Sequence, residues 1–91
     1  MKRKKRINEL LEIPKEVYSN IPNIVLTGFE EMIVENNNGI LEYEEYFIKI
    51  DTDIGIMNIY GYNLKLEKMT EDNLKISGKI EKIEIERAID D

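Results

Sequence analysis

Three stretches of this chain follow one template, and the template limits what it can fold into. Between Gly55 and Glu86 an alternating run reaches a glycine and leaves it as another alternating run, twice over. Met57 and Ile59 precede Gly61, with Leu64 and Leu66 after it. Leu74 and Ile76 precede Gly78, and Ile80, Ile83 and Ile85 follow. Upstream, Ile24 and Leu26 lead to Gly28, and Ile33 lies beyond it. In each copy the apolar residues fall four and two positions before the glycine and five after it. A period of two gives a strand one buried face and one wetted face. A glycine inside such a run marks a bulge or a bend. The pattern therefore predicts a small bent β-sheet built on repeated strand–Gly–strand units.

The rest of the chain fits around that sheet. Ile7, Leu10, Leu11, Val17, Tyr18 and Ile21 form one stripe at helical spacing, so residues 2–21 read as a helix interrupted at Pro14. Strands are expected over Ile24–Thr27, Glu31–Glu35, from Ile40 through Tyr43, and over Phe47–Ile50. Asn36-Asn37-Asn38-Gly39 is the strongest turn signal, because Asn and Gly accept the positive φ of hairpin turns. Asp51-Thr52-Asp53 and Thr70 to Asn73 read as further turns. The expectation is one mainly β domain of 91 residues, an antiparallel meander, roll or sandwich with an N-terminal helix. Residues 1–21 form its basic arm and helix, and residues 22–87 its sheet. A short β-solenoid is the alternative, given three similar units.

Residue types narrow the chemistry. The chain has no Cys, His or Trp. A disulfide frame, a thiolate nucleophile and a histidine base or ligand are therefore unavailable. Glu42, Glu44 and Glu45 form the one carboxylate cluster, but Glu42 and Glu44 share a strand face and read as solvated surface. Asp51 and Asp53 lack the further oxygen ligands that a calcium loop supplies. No catalytic, cofactor-binding or metal site is assigned, and no small-molecule substrate is expected. Lys2, Arg3, Lys4, Lys5 and Arg6 hold five of the thirteen basic residues. The other eight face all nineteen acidic residues, which leaves residues 7–91 at a formal charge of −11. Such a body repels nucleic acid, and Tyr43, Phe47, Tyr60 and Tyr62 lack the basic surroundings of a stacking platform. No apolar run is long enough to span a bilayer, and Asn8, Glu9 and Glu12 break any secretory core, so an intracellular protein is expected. Lys2 to Arg6 with Ile7, Leu10 and Leu11 would suit an anionic membrane surface or a partner. The plainer reading is a helix capping the sheet behind a solvated charge run.

Several of these segments carry a family resemblance. Asn20-Ile21-Pro22 with Ile24-Val25-Leu26-Thr27-Gly28, Glu35-Asn36 with Asn38-Gly39-Ile40-Leu41, Ile59-Tyr60-Gly61-Tyr62-Asn63-Leu64 and Ile76-Ser77-Gly78-Lys79-Ile80 together resemble the YabP/YqfC family of sporulation proteins. The basic start, the proline-broken helix and the length resemble its YqfC branch. The resemblance implies a role in endospore formation in the mother-cell cytoplasm, and it supplies no catalytic residues. Its recurrent positions, Gly28, Gly39, Gly61, Asn63, Leu64 and Gly78, read as structural: bends, positive φ and, at Leu64, core. Asn63 is expected to bond the backbone beside the Gly61 bend. The function expected is non-enzymatic assembly with a protein partner, or with further copies of the chain, through sheet edges. Peripheral membrane association is the alternative.

Overall fold

A computed structural model describes residues 21–88. The helix expected from residue 2 lies outside them. Among the described residues, six strands form one antiparallel sheet in the order β1-β2-β6-β5-β4-β3. They are β1 (Asn23–Thr27), β2 (Glu31–Glu35), β3 (Gly39–Glu44), β4 (Phe47–Thr52), β5 (Gly55–Met69) and β6 (Asn73–Arg87).

The two long strands organise the sheet. β4 pairs with β5 over Gly55–Tyr60 alone, and β2 pairs with β6 over Asn73–Ser77 alone. β5 and β6 pair with each other along their whole length. Each long strand thus serves two half-sheets. One is β3, β4, the first part of β5 and the last part of β6; the other is β1, β2, the first part of β6 and the last part of β5.

The switch falls at the glycines. The β5–β6 register shifts at Tyr60/Gly61 and again between Tyr62 and Lys65. A Cβ at Gly61 would collide with the Lys79 carbonyl. Gly78 sits at φ +129°, and a Cβ there would lie 2.5 Å from the Asn63 carbonyl oxygen. The two strands therefore cross the corner closer than any side chain permits, which is the use of Gly61 and Gly78. Between them Asn63 takes a left-handed φ of 53°, a conformation Asn tolerates.

Among the described residues, ten buried apolar side chains form one core. Ile48, Ile50, Met57 and Ile59 come from one half-sheet. Met32, Val34, Leu74 and Ile76 come from the other, with Leu64 and Ile80 at the corner. The alternation is visible in register: Ile48 lies opposite Ile59, Ile50 opposite Met57, Met32 opposite Ile76 and Val34 opposite Leu74. Burying such a side chain is worth about 1.5–3 kcal/mol, and folding the sheet on itself buries both inner faces together. Ile24 of one half-sheet and Met57 and Ile85 of the other line a single cavity of about 190 Å³. At the opposite seam the Leu66 N–H donates to the Tyr43 hydroxyl at 3.0 Å. The fold is a roll made from one continuous sheet, so neither two separate sandwich sheets nor a solenoid forms.

Two expected connections differ. Gly28 does not bend a continuing strand as Gly61 and Gly78 do. It reverses the chain between β1 and β2, with Gly28 and Phe29 both near φ +59° and the Glu30 N–H donating to the Thr27 carbonyl at 3.1 Å. The same apolar spacing serves a hairpin here, because β2 folds back along β1. The Asn36–Gly39 segment is no hairpin turn: β2 and β3 lie four places apart in the sheet. Its backbone still takes positive φ at Asn36 and Gly39. The buried Asn37 amide donates to the Val34 and Asp72 carbonyls, and its Oδ1 accepts from the Gly39 N–H. The Asn38 N–H donates to the Asp51 carbonyl at 2.8 Å. These bonds steer the chain from one half-sheet into the other.

Candidate interaction surface

Both hairpins are fastened to the corner in the same way. At the β1–β2 tip, the Phe29 and Glu30 carbonyls accept from the Ile80 and Gly78 N–H groups at 3.0 and 3.1 Å. At the β3–β4 tip, the Glu45 and Tyr46 carbonyls accept from the Leu64 and Gly61 N–H groups at 2.7 and 3.1 Å. The bonds place each tip beside a bend glycine and leave an aromatic side chain, Phe29 or Tyr46, in solvent. Phe29 is the unusual one. It is 71% exposed while holding a left-handed φ of 59°, a conformation costing an L-residue with a bulky side chain roughly 1–2 kcal/mol. Neither burial nor local preference favours phenylalanine there.

The edges differ more than the tips. β3 is an outer strand blunted by charge and irregularity. Glu42 and Glu44 stand on it, exposed, and a register shift between Ile40 and Glu42 sets Leu41 out of the ladder. Late β5, beyond its pairing with β4, carries Lys65, Glu67 and Lys68; late β6, beyond its pairing with β2, carries Glu81, Lys82, Glu84 and Glu86. Charges and bulges of this kind discourage strand addition. β1 has neither. Its five residues, Asn-Ile-Val-Leu-Thr, are uncharged, and it pairs with β2 without a register shift. On its outer face Val25 lies opposite Ile33, 46% and 36% exposed. Polar pairs bracket them: Asn23 Nδ2 donates to Glu35 Oε1 at 2.9 Å, and Lys75 Nζ meets Glu31 Oε2 at 2.9 Å. The Glu31 carboxylate, by hydrogen bond and by charge, raises the Lys75 ammonium pKa above its ordinary value of 10.5.

The residues singled out from the sequence fall at separate places among the described residues. Gly28 lies at the β1–β2 tip, Gly39 at the start of β3, and Gly61, Asn63 and Gly78 at the corner, where Leu64 is buried. The Asn63 carbonyl packs against Gly78, a contact that alternation could not reveal. Glu42, Glu44 and Glu45 are exposed. Asp53 Oδ1 accepts from Asn38 Nδ2 at 2.7 Å. The four aromatics do not line one face. Phe47 and Tyr60 pack ring to ring with centroids 5.0 Å apart, and the Lys82 ammonium sits 5.0 Å over the Tyr60 ring. The Tyr60 hydroxyl donates to Glu84 at 3.1 Å; burial by its neighbours, then that bond, raises the phenol above its ordinary 10.0. Tyr43 pairs with Ile48 and reaches Leu66, and Tyr62 is exposed near the corner. Lys2, Arg3, Lys4, Lys5, Arg6, Ile7, Leu10 and Leu11 lie outside the described residues. Alternation could have flagged β1 as uncharged, but only strand order makes it an edge.

Among the described residues, no group of three or more acidic side chains is placed to hold a metal, and no helix is long and apolar enough to cross a membrane. Residues 19–89 match the model of the YabP family. The chain is 25% identical over 75 residues to the uncharacterized protein YqfC of Bacillus subtilis (strain 168), covering 82% of this chain and 81% of that protein. No solved structure matches the chain.

Proposed function

The chain belongs to the YabP family, and on that premise we propose that it is a non-enzymatic sporulation protein, acting in the mother cell during endospore formation through protein–protein assembly. The observation that carries the assembly role is the uncharged β1 edge with Val25, Ile33 and Phe29 beside it. With 35% charged residues the chain has ample means to blunt an edge, and β1 carries none of them. Edge strands of that kind bind other strands through main-chain hydrogen bonds. The test is deletion in the native spore-former, followed by complementation and microscopy. Loss of heat-resistant spores, restored by the wild-type chain, is expected; sporulation at undiminished frequency removes the reading.

A second reading rests on Lys2–Arg6 followed by Ile7, Leu10 and Leu11. Each basic residue near an anionic surface is worth about 1 kcal/mol. Flotation with phosphatidylglycerol vesicles separates it: binding should vanish when residues 2–6 are replaced by serine and glycine. Equal behaviour of the two chains excludes membrane attachment through that segment.

A further inference from the structure

We propose that β1 is a self-pairing edge: two copies of the chain join antiparallel through Asn23–Thr27, with Val25 on the two-fold axis, to make one continuous twelve-stranded sheet. This pairing rests on the assembly reading above.

The ends of β1 set the register. Pro22, which has no N–H to donate, precedes it, and the Gly28–Phe29 reversal follows it, so the pairing window is five residues long. Centred on Val25, residue 23 of one copy meets residue 27 of the other, and 24 meets 26. Asn23 then lies opposite Thr27, Ile24 opposite Leu26, and Val25 opposite its own copy. Polar meets polar and apolar meets apolar at every position. Other registers do worse. A two-residue slip sets Val25 against Asn23 or Thr27 and drives one strand end into Pro22 or Gly28. A one-residue slip sets the inward face against the outward one.

The occupant follows from charge. The body carries a formal charge of −11 outside residues 1–6, so two copies repel across most of their surface. β1 is the strand on which they can meet without opposing like charges. The nearest acidic groups on that face, Glu31 and Glu35 of β2, would face the other copy's across three strand spacings, about 14 Å, beyond the screening length at physiological salt. A strongly basic partner would gain nothing from a strand without carboxylates.

Pairing would also cover surface that one copy leaves bare. An axis normal to the sheet puts both inner faces on the same side. At this rim the inner face exposes Ile24 and Ile85, beside the cavity that Pro22 and Ile54 also line. A second copy brings its own rim against them. On the outer face the Ile33–Val25 row would continue through the partner's Val25 to its Ile33.

Because the chain has no cysteine, one substitution reads the pairing directly. Opposed residues of an antiparallel pair have Cα atoms about 4.5–5.5 Å apart, within reach of a disulfide. The full chain carrying Val25→Cys should oxidise to a covalent dimer, whereas Leu41→Cys on the β3 edge should stay monomeric under the same oxidant. Sedimentation should find the wild-type chain dimeric at high concentration. Val25→Lys and Val25→Glu should each be monomers with unchanged circular dichroism, and mixing them should restore the dimer. A wild-type chain that stays monomeric, equal cross-linking at both edges, or a dimer that survives Val25→Lys overturns the pairing. Capture of β1 by a different strand, or cover by residues 1–20, would appear as the first of these. If the monomeric variants still sporulate normally while the deletion strain fails, self-pairing is not the sporulating form and the family role stands. A deletion strain that sporulates normally removes the role and leaves the dimer intact.

Discussion

The β1–β2 and β3–β4 hairpins are built alike and end in unlike edges. Each pairs with the first part of one long strand, and each fastens its tip to the corner by two backbone hydrogen bonds, one of them from a bend glycine. Yet β3 carries Glu42, Glu44 and a register shift, while β1 carries five uncharged residues in unbroken register. The tips diverge too: Phe29 is left-handed, and Tyr46 is not among the positive-φ residues. Where construction is shared, packing demands it. Where the hairpins differ, at Val25, Phe29, Glu42, Glu44 and Tyr46, the side chains are exposed and core packing does not choose them.

Breaking the shared part should produce the largest effect. Gly61→Val collides with the Lys79 carbonyl, and Gly78→Val adds a forbidden φ to a clash with Asn63. Ordinary overpacking costs about 1–3 kcal/mol where neighbours can repack. Each Cβ here would meet paired backbone, which cannot move aside, so the cost should exceed that of a single core truncation. Each variant should therefore lose more than about 10 °C of melting temperature, at about 4–8 °C per kcal/mol for a domain of this size. Wild-type melting in both would refute the corner.

Matched core truncations come next. Ile48→Ala removes a side chain from the β3–β4 half, and Ile76→Ala from the β1–β2 half; both residues are fully buried. Each should cost about 2–5 kcal/mol in one cooperative transition. If denaturant unfolding of Ile48→Ala separates into two steps, the halves do not share a core and the symmetry of the hairpins is superficial.

The tips sharpen the contrast at smaller scale. Phe29→Asn keeps the left-handed turn at lower strain and should raise the melting temperature by a few degrees, about 0.5–1 kcal/mol. Tyr46→Asn relieves no such strain and should give no gain. If the two substitutions behave alike, Phe29 is not strained and the case for its external role weakens.

The smallest effect belongs to the Lys75–Glu31 pair beside β1. Lys75→Met should leave the melting temperature at pH 7 nearly unchanged, since exposed pairs of this kind contribute little. The folded-state pKa of Lys75 is raised, so whatever the pair contributes is complete below the ordinary value of 10.5 and fades as pH climbs above it. Wild-type and variant melting curves should therefore converge in strong alkali. A gap that widens there would reverse the assignment.

Much of this architecture was legible residue by residue. Alternation at Met57, Ile59, Leu74 and Ile76 marked core positions, because a strand has two faces and one is buried. Asn36 and Gly39 announced positive φ from residue type alone. What these residues could not announce is the partner across the ladder. The spacing around Gly28 matches that around Gly61 and Gly78, yet one glycine reverses the chain and two bend it. The choice depends on whether the following segment finds its pair in the preceding one, as β2 does with β1, or in another long strand, as β5 does with β6. The run of asparagines before Gly39 reads as a hairpin for the same reason. Local φ was encoded, and the destination of β3 was not.

By itself, then, the sequence determined a mainly β chain with these strands, glycine-marked irregularities and no histidine or cysteine chemistry. Each of those follows from backbone sterics, side-chain period or residue type. The tertiary structure alone decided that Gly61 and Gly78 meet at one corner, that two half-sheets enclose one core, and that uncharged β1 lies at a margin while Leu74 and Ile76 lie inside. Strand order is a non-local property, fixed when long-range pairs together bury more surface than any local alternative. An edge therefore becomes visible only after the whole sheet has closed.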